Sequence, residues 1–141
     1  MFTPTEDLIL QSGPVWHGTA IGWKKSVEKC ITKFDIVSDR FCGVKYVDTE
    51  KKTSVIAYTA YLPTSGQDEQ FVDVLSLLSF DIIQNNTENS VLLIGTDSNV
   101  STKSTRRRIE AMQKFLDSFR LKTILMNDNP AFHDNNQTSE S

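Results

Sequence analysis

Residues 91–99, Val-Leu-Leu-Ile-Gly-Thr-Asp-Ser-Asn, decide how this chain is read. The run Val91-Leu92-Leu93-Ile94-Gly95 follows the turn residues Asn85, Asn86, Asn89 and Ser90. A short apolar run bounded in this way predicts a central strand covered on both faces. If it is such a strand, the residues just beyond it, Thr96 to Asn99, stand where ligands bind in layered α/β domains.

Working outward, Phe71, Val74, Leu75, Leu78 and Ile82 recur at intervals of three and four, which predicts an amphipathic helix before the strand. Ser65 and Asp68 stand ahead of it at capping-box spacing, with Asp where Glu or Gln is usual. Further back, Phe41 to Val47 alternates in polarity and Thr53 to Tyr61 is rich in β-branched and aromatic residues. The polar stretch 48–52 between them predicts a hairpin with a solvated turn. The segment HGTAIGWKKSV predicts one more strand. On the other side, Ile109, Met112, Phe115, Leu116 and Phe119 predict a second helix, and Lys122 to Leu125 a short strand. Strands interleaved with helices give the α/β class. A length of 141 residues suits one domain, 1–141.

A formal net charge of −3 excludes a molecule that holds nucleic acid by overall charge, so any phosphate binding must be local. No run approaches the roughly 18 apolar residues of a membrane span, and Glu6 and Asp7 stand where a signal peptide has cations. The expectation is an intracellular protein of nucleus or cytoplasm, with no membrane partner. Cys30 and Cys42 are isolated, unlike zinc-site or disulfide-scaffold cysteines, and read as plain thiols. The N-x-[ST] sequons at Asn85, Asn99 and Asn136 carry no weight without secretion.

Two strand ends carry candidate chemistry. Asp97 and Asn99, two residues apart, can point oxygens the same way if the backbone stays extended, and a carboxylate beside an amide oxygen suits Mg²⁺. The competing reading is an Asx turn in which both side chains bond nearby amides. The run Tyr58 to Pro63 places Tyr61 at the mouth of the sheet, where its hydroxyl can meet a phosphate oxygen or simply bond backbone under a loop.

Together these residues resemble the endonuclease/exonuclease/phosphatase superfamily, and within it the endonuclease domains of non-LTR retrotransposons. The resemblance runs through HGTAIGW, DRF, AYLPTSG, LLIGTDSN and PAFHDNNQTSES, with AYLP and IGTDSN its most specific parts. It implies a sandwich of mixed β-sheets flanked by helices and metal-assisted hydrolysis of a phosphate ester, with Mg²⁺ or Mn²⁺ as cofactor and DNA as partner. By resemblance, Tyr61 contacts the scissile phosphate. Asp97 orients or deprotonates the attacking water, and Asn99 is its companion near metal and phosphate, so Asp97 and Asn99 are also the metal candidates. Thr96 departs from the family's Gly.

The family's Asn motif, its Gln-Glu motif and its Ser-Asp-His are not matched. Glu6 reads as a loop acid, and His133-Asp134 has the residue types in reverse order. The expectation is therefore a partial α/β sandwich, catalytically incomplete, with open sheet edges that favour self-association. A non-catalytic nucleic-acid-binding remnant, a hydrolase completed by a partner chain and a phosphatase branch acting on small phosphate esters are the alternatives. Arg106, Arg107 and Arg108 fall in the first turn of the second helix, where the macrodipole disfavours cations, which hints at a phosphate contact against the simpler reading of a solvated face. Trp16 and Trp23 read as core before base-stacking residues, and His17 and His133 as edge or loop residues.

Overall fold

Alternating, β-rich sequence on both sides of a polar turn closes into an antiparallel hairpin. β4 (Phe41–Asp48) pairs with β5 (Thr53–Tyr61), with Phe41 opposite Ala60 and Asp48 opposite Thr53. Asp48 Oδ1 accepts the amides of Glu50 and Lys51, both at 3.1 Å, and fixes the turn. The computed structural model describes residues 8–12, 18–87 and 89–124. Before the hairpin lie β1 (Leu8–Ser12), β2 (Ala20–Lys24), a 3-10 helix (Lys25–Cys30) and β3 (Ile31–Lys33). After it come α1 (Asp68–Asn85), β6 (Ser90–Asp97) and α2 (Arg106–Ser118).

The main sheet has the order β3-β4-β5-β6, antiparallel except for β5 and β6, and β1-β2 is a separate antiparallel pair. A parallel neighbour requires a crossover connection, and α1 supplies it. With strands and helices layered in this way the fold is α/β.

Period-two side-chain direction gives the sheet two unlike faces. Ile56, Tyr58 and Ala60 of β5, with Phe41, form one core with Phe71, Leu75, Leu78 and Ile82 of α1 and Phe115 of α2. Each large α1 side chain buried there contributes on the order of 1.5–3 kcal/mol. On the opposite face Cys42 is buried, with Thr19 Oγ1 donating to its Sγ at 3.5 Å. Trp23 is buried as well, which settles it as a core residue, with the Lys33 ammonium 5.7 Å from its ring centroid. Trp16, His17, His133 and the stretch PAFHDNNQTSES lie outside the described residues.

Three expectations need correction. Residues 91–95 do not form a strand covered on both faces: β6 lies at the end of the strand order, with Val91 56% and Leu93 52% exposed, while Leu92 and Ile94 pack against the core. An apolar run shows that burial is available, not that a second layer supplies it. Ser65 and Asp68 do not form a capping box, because α1 starts at Asp68 with Gln67 as N-cap and no side-chain cap bond. Residues 121–124 have no regular structure, so the short strand after α2 is not formed among the described residues.

A polar group inside the core is tolerable only when it is bonded. The Tyr58 hydroxyl donates to Asp81 Oδ2 at 2.7 Å, and Asn85 Nδ2 donates to that same oxygen at 3.2 Å and to the Tyr58 hydroxyl at 3.3 Å. Burial first, and then the bond to Asp81, push the Tyr58 phenol well above its usual range. Gly43 makes room for the ring: a Cβ there would meet Tyr58 Cε1 at 2.6 Å and Phe34 Cδ2 at 2.8 Å. Tyr58→Phe should leave Asp81 short of a donor and lower unfolding free energy by about 1–2 kcal/mol. Urea denaturation checks this, and an unchanged midpoint would show that the network contributes no net stability.

Candidate functional site

Three strands end at the same side of the sheet. The start of β4 and the ends of β5 and β6 meet there because β4 runs opposite to the other two. Tyr61 and Asp97 are register partners, so their side chains leave the same face side by side. The hairpin register extends one residue further: the Tyr61 amide donates to the Arg40 carbonyl at 2.8 Å, and the Arg40 guanidinium carbon stands 5.3 Å from the Tyr61 ring centroid. A row of cation, phenol and carboxylate thus runs from the bend before β4 across the ends of β5 and β6, on the face away from α1 and α2. Thr59 and Gly95 are partners two residues back, the next pair on that face, and among the described residues a Cβ on Gly95 would meet nothing within 4 Å, so the row borders open space there.

Beyond Asp97 the chain does not stay extended. Asn99 has φ 50°, a left-handed conformation that Asn adopts more readily than most residues. Its amide N–H donates to Asp97 Oδ1 at 3.2 Å, and its side-chain Nδ2 donates to the Leu62 carbonyl at 2.8 Å. The Asx-turn reading of Asp97 therefore holds, while Asn99 does more than make a local turn: it ties the end of β6 to the end of β5. The condition under which both oxygens point alike fails. Asp97 has one carboxylate oxygen already engaged, which leaves its other oxygen and Asn99 Oδ1 as the two remaining donors. This donor set fits poorly to Mg²⁺, which takes near-octahedral oxygen ligation. Among the described residues no three His, Cys, Asp or Glu side chains gather as a metal-holding group. No reaction step is therefore derived through a metal.

A cleft of about 360 Å³ lies on the other face, between the core and residues 121–124. Its lining is aliphatic and aromatic apart from Thr96, Lys122 and Thr123, with no carboxylate, thiol or imidazole to run acid–base chemistry. The strand-end row is the better candidate.

No family model, curated protein or solved structure matches the chain.

The loop that carries the row onward, 62–67, is held by α2. Arg108, 1% exposed, donates from Nη1 to the Pro63 carbonyl at 2.5 Å, from Nη2 to the Thr64 carbonyl at 2.6 Å, and from Nε to Asp68 Oδ1 at 3.1 Å. Its guanidinium also stacks over the Phe71 ring, 4.2 Å from the centroid. Arg108 is consequently not available to nucleic acid, and that expectation is corrected. The conflict between a cation and a helix N-terminus is answered inside the fold, by the carboxylate that opens α1. Arg106 and Arg107 do face solvent, paired with Glu110 at 2.7 Å and Glu69 at 3.9 Å.

Sequence reading missed Arg40 and the role of Arg108. For Arg40 the available signal was its place directly before a β-rich run. For Arg108 the signal was the misplaced charge itself.

The Thr105 hydroxyl, which donates to Asp68 Oδ2 at 2.6 Å, and after it the Arg108 guanidinium hold the Asp68 carboxyl below its ordinary value. A depressed folded pKa contributes stability that is complete above the unfolded value and is lost as pH falls through the folded one. Stability should therefore decline as pH drops below the ordinary carboxylate value of 3.8, and Asp68→Asn should flatten that part of the profile. Arg108→Met should cost on the order of 2–4 kcal/mol through lost packing and an orphaned Pro63 carbonyl. Arg108→Lys should not recover the loss, because lysine lacks the fork. Thermal and urea unfolding across acidic pH measure all three, and a pH profile unaltered by Asp68→Asn would refute the assignment.

Proposed function

We propose that this chain is part of a phosphodiester-hydrolase domain of the endonuclease/exonuclease/phosphatase type, of retroelement descent and acting on DNA inside the cell. With the catalytic residues it can be matched to, it recognises a phosphodiester without cutting it. The observation that carries the reading is the register partnership of Tyr61 and Asp97 at one end of the sheet, with Asn99 tied to Leu62 beside them. This is the pair of strand ends on which the sequence resemblance rests. A phenol can donate to a phosphate oxygen and a carboxylate can hold a water in line, so the arrangement suits a tetrahedral phosphate ester. The alternatives, a DNA-binding remnant and a phosphatase branch, use the same residues; no observation favours either over the first reading. A membrane role has no support, since among the described residues no helix is long and apolar enough to cross one.

Hydrolysis needs a metal held near the phosphate, an oriented water and stabilisation of the leaving oxygen, and groups that act as a unit lose function together. The expected outcome is no detectable nicking of supercoiled plasmid in Mg²⁺ or Mn²⁺, with only weak binding of either ion. Fusing family-like segments that supply the Asn, Glu and Ser-Asp-His groups should bring cutting back, and Asp97→Ala should abolish it. Cutting by the unfused chain that EDTA and Asp97→Ala both eliminate would overturn the inactive reading. A competent fusion indifferent to Asp97→Ala would overturn the assignment of Asp97.

The same reading includes self-association through β6. Its outer edge has no hydrogen-bonded neighbour among the described residues, and Val91 and Leu93 are exposed beside it. Sedimentation velocity should show concentration-dependent association that Leu93→Lys reduces; a monomer at every concentration would rule it out.

A further inference from the structure

One cation of the strand-end row, Arg40, stands apart from the arginines of α2. Three other arginines with assigned partners, Arg106, Arg107 and Arg108, each pair with a carboxylate. Among the described residues Arg40 pairs with none; its side chain rests on the Tyr61 ring. Its structural duty is discharged by the main chain, where the carbonyl accepts the Tyr61 amide and the amide donates to Ser38 Oγ at 3.0 Å. The guanidinium is thus positioned by stacking and partly buried, and its donors meet no acceptor among the described residues.

We propose that Arg40 is the phosphate-binding cation of the strand-end site, taking one phosphodiester group of a DNA backbone between its guanidinium fork and the Tyr61 hydroxyl. The inference rests on the proposed function above and names the group that engages the substrate there. Its physical basis is threefold. An arginine fork matches two phosphate oxygens, and stacking on an aromatic ring reduces the entropy lost when it binds. The row places a positive charge next to Tyr61, on the opposite side from Asp97, so the anion is drawn to the side of the phenol away from the carboxylate. Among the described residues nothing would meet a Cβ on Gly95, so the face is open on that side of the row.

The test is binding of a fluorescent mixed-sequence DNA duplex to the full chain in EDTA, followed by anisotropy over a series of salt concentrations. Removing one phosphate contact should weaken binding on the order of tenfold at low salt and reduce the slope of log Kd against log salt by about 0.9. Arg40→Gln should show both effects. Arg40→Lys should keep the slope and lose only part of the affinity, since a lysine retains the charge but neither the fork nor the stacking. Tyr61→Phe keeps the ring under Arg40 and should weaken binding with the slope unchanged. Arg106→Gln, removing a cation whose side chain is 91% exposed, should change little.

If wild type binds and Tyr61→Phe weakens it while Arg40→Gln matches wild type, the Arg40 assignment is overturned and the phosphodiester reading stands. If Arg40→Gln and Arg106→Gln fall alike, the loss reports overall charge and the assignment is again overturned. If wild type shows no binding, or neither Tyr61 nor Arg40 substitutions alter it, both readings fall. Thermal unfolding of each variant accompanies the titrations, and Arg40→Lys carries the test if Arg40→Gln does not fold.

Discussion

The buried guanidinium of Arg108 is the constraint on which the strand-end geometry depends. It binds two consecutive main-chain carbonyls of the 62–67 loop, the first carboxylate of α1 and the face of Phe71, so four groups of the stretch 63–71 meet on one planar group. A buried charge is costly unless its donors are bonded, and here they are. The result is that the N-termini of α1 and α2 are brought together, acid against base. Thr105 joins them, accepting the Arg108 amide as N-cap of α2 while donating to Asp68. The loop after Tyr61 is fixed from below by Arg108 and from the side by Asn99. Tyr61 therefore stands at the end of a strand whose continuation is immobilised by two independent sets of bonds.

The sheet then does the arranging. Tyr61 and Asp97 are lined up by the parallel register, and Arg40, in the bend one residue before β4, is held to them by its carbonyl's bond to the Tyr61 amide. Residues on paired strands are held more closely than residues on loops, which suits recognition of a small rigid group such as a phosphate. The opposite face carries the core. The site's face is covered at Cys42 and Trp23 but open along β6, where Val91 and Leu93 are exposed beside the half-buried Leu92 and Ile94.

Much of this is legible in the sequence because it follows from local rules. The β4–β5 hairpin is written in alternation around Asp48, and α1 in the spacing of Phe71, Leu75, Leu78 and Ile82. The site residues Tyr61, Asp97 and Asn99 are found at strand ends because apolar runs stop there. What local rules do not give is pairing. The open position of β6 depends on which strand lies beside it, and four apolar residues read alike in a central or an edge strand. Arg108 illustrates the other limit: a guanidinium is surface chemistry by residue type, and only the fold supplies the carbonyls that make it a core residue. Arg40 escaped because its partner is 21 positions away and is recognised through register, not spacing.

Arg108 reads the loop through carbonyl oxygens, which every amino acid possesses. The loop is therefore free to drift in side-chain identity at positions 64, 65 and 67 as long as its backbone path is kept, Gly66 being tied to glycine by its φ of 87°, whereas the arginine that holds it cannot drift at all. In a set of related chains this would appear as an invariant cation facing a variable loop, a pattern easily mistaken for ligand binding by the cation and neutrality in the loop. The dependence also runs across sequence: a change confined to α2 would disturb residues some 45 positions earlier, with no alteration of their own codons. Selection on the strand-end site is thus exerted on a helix that never touches it.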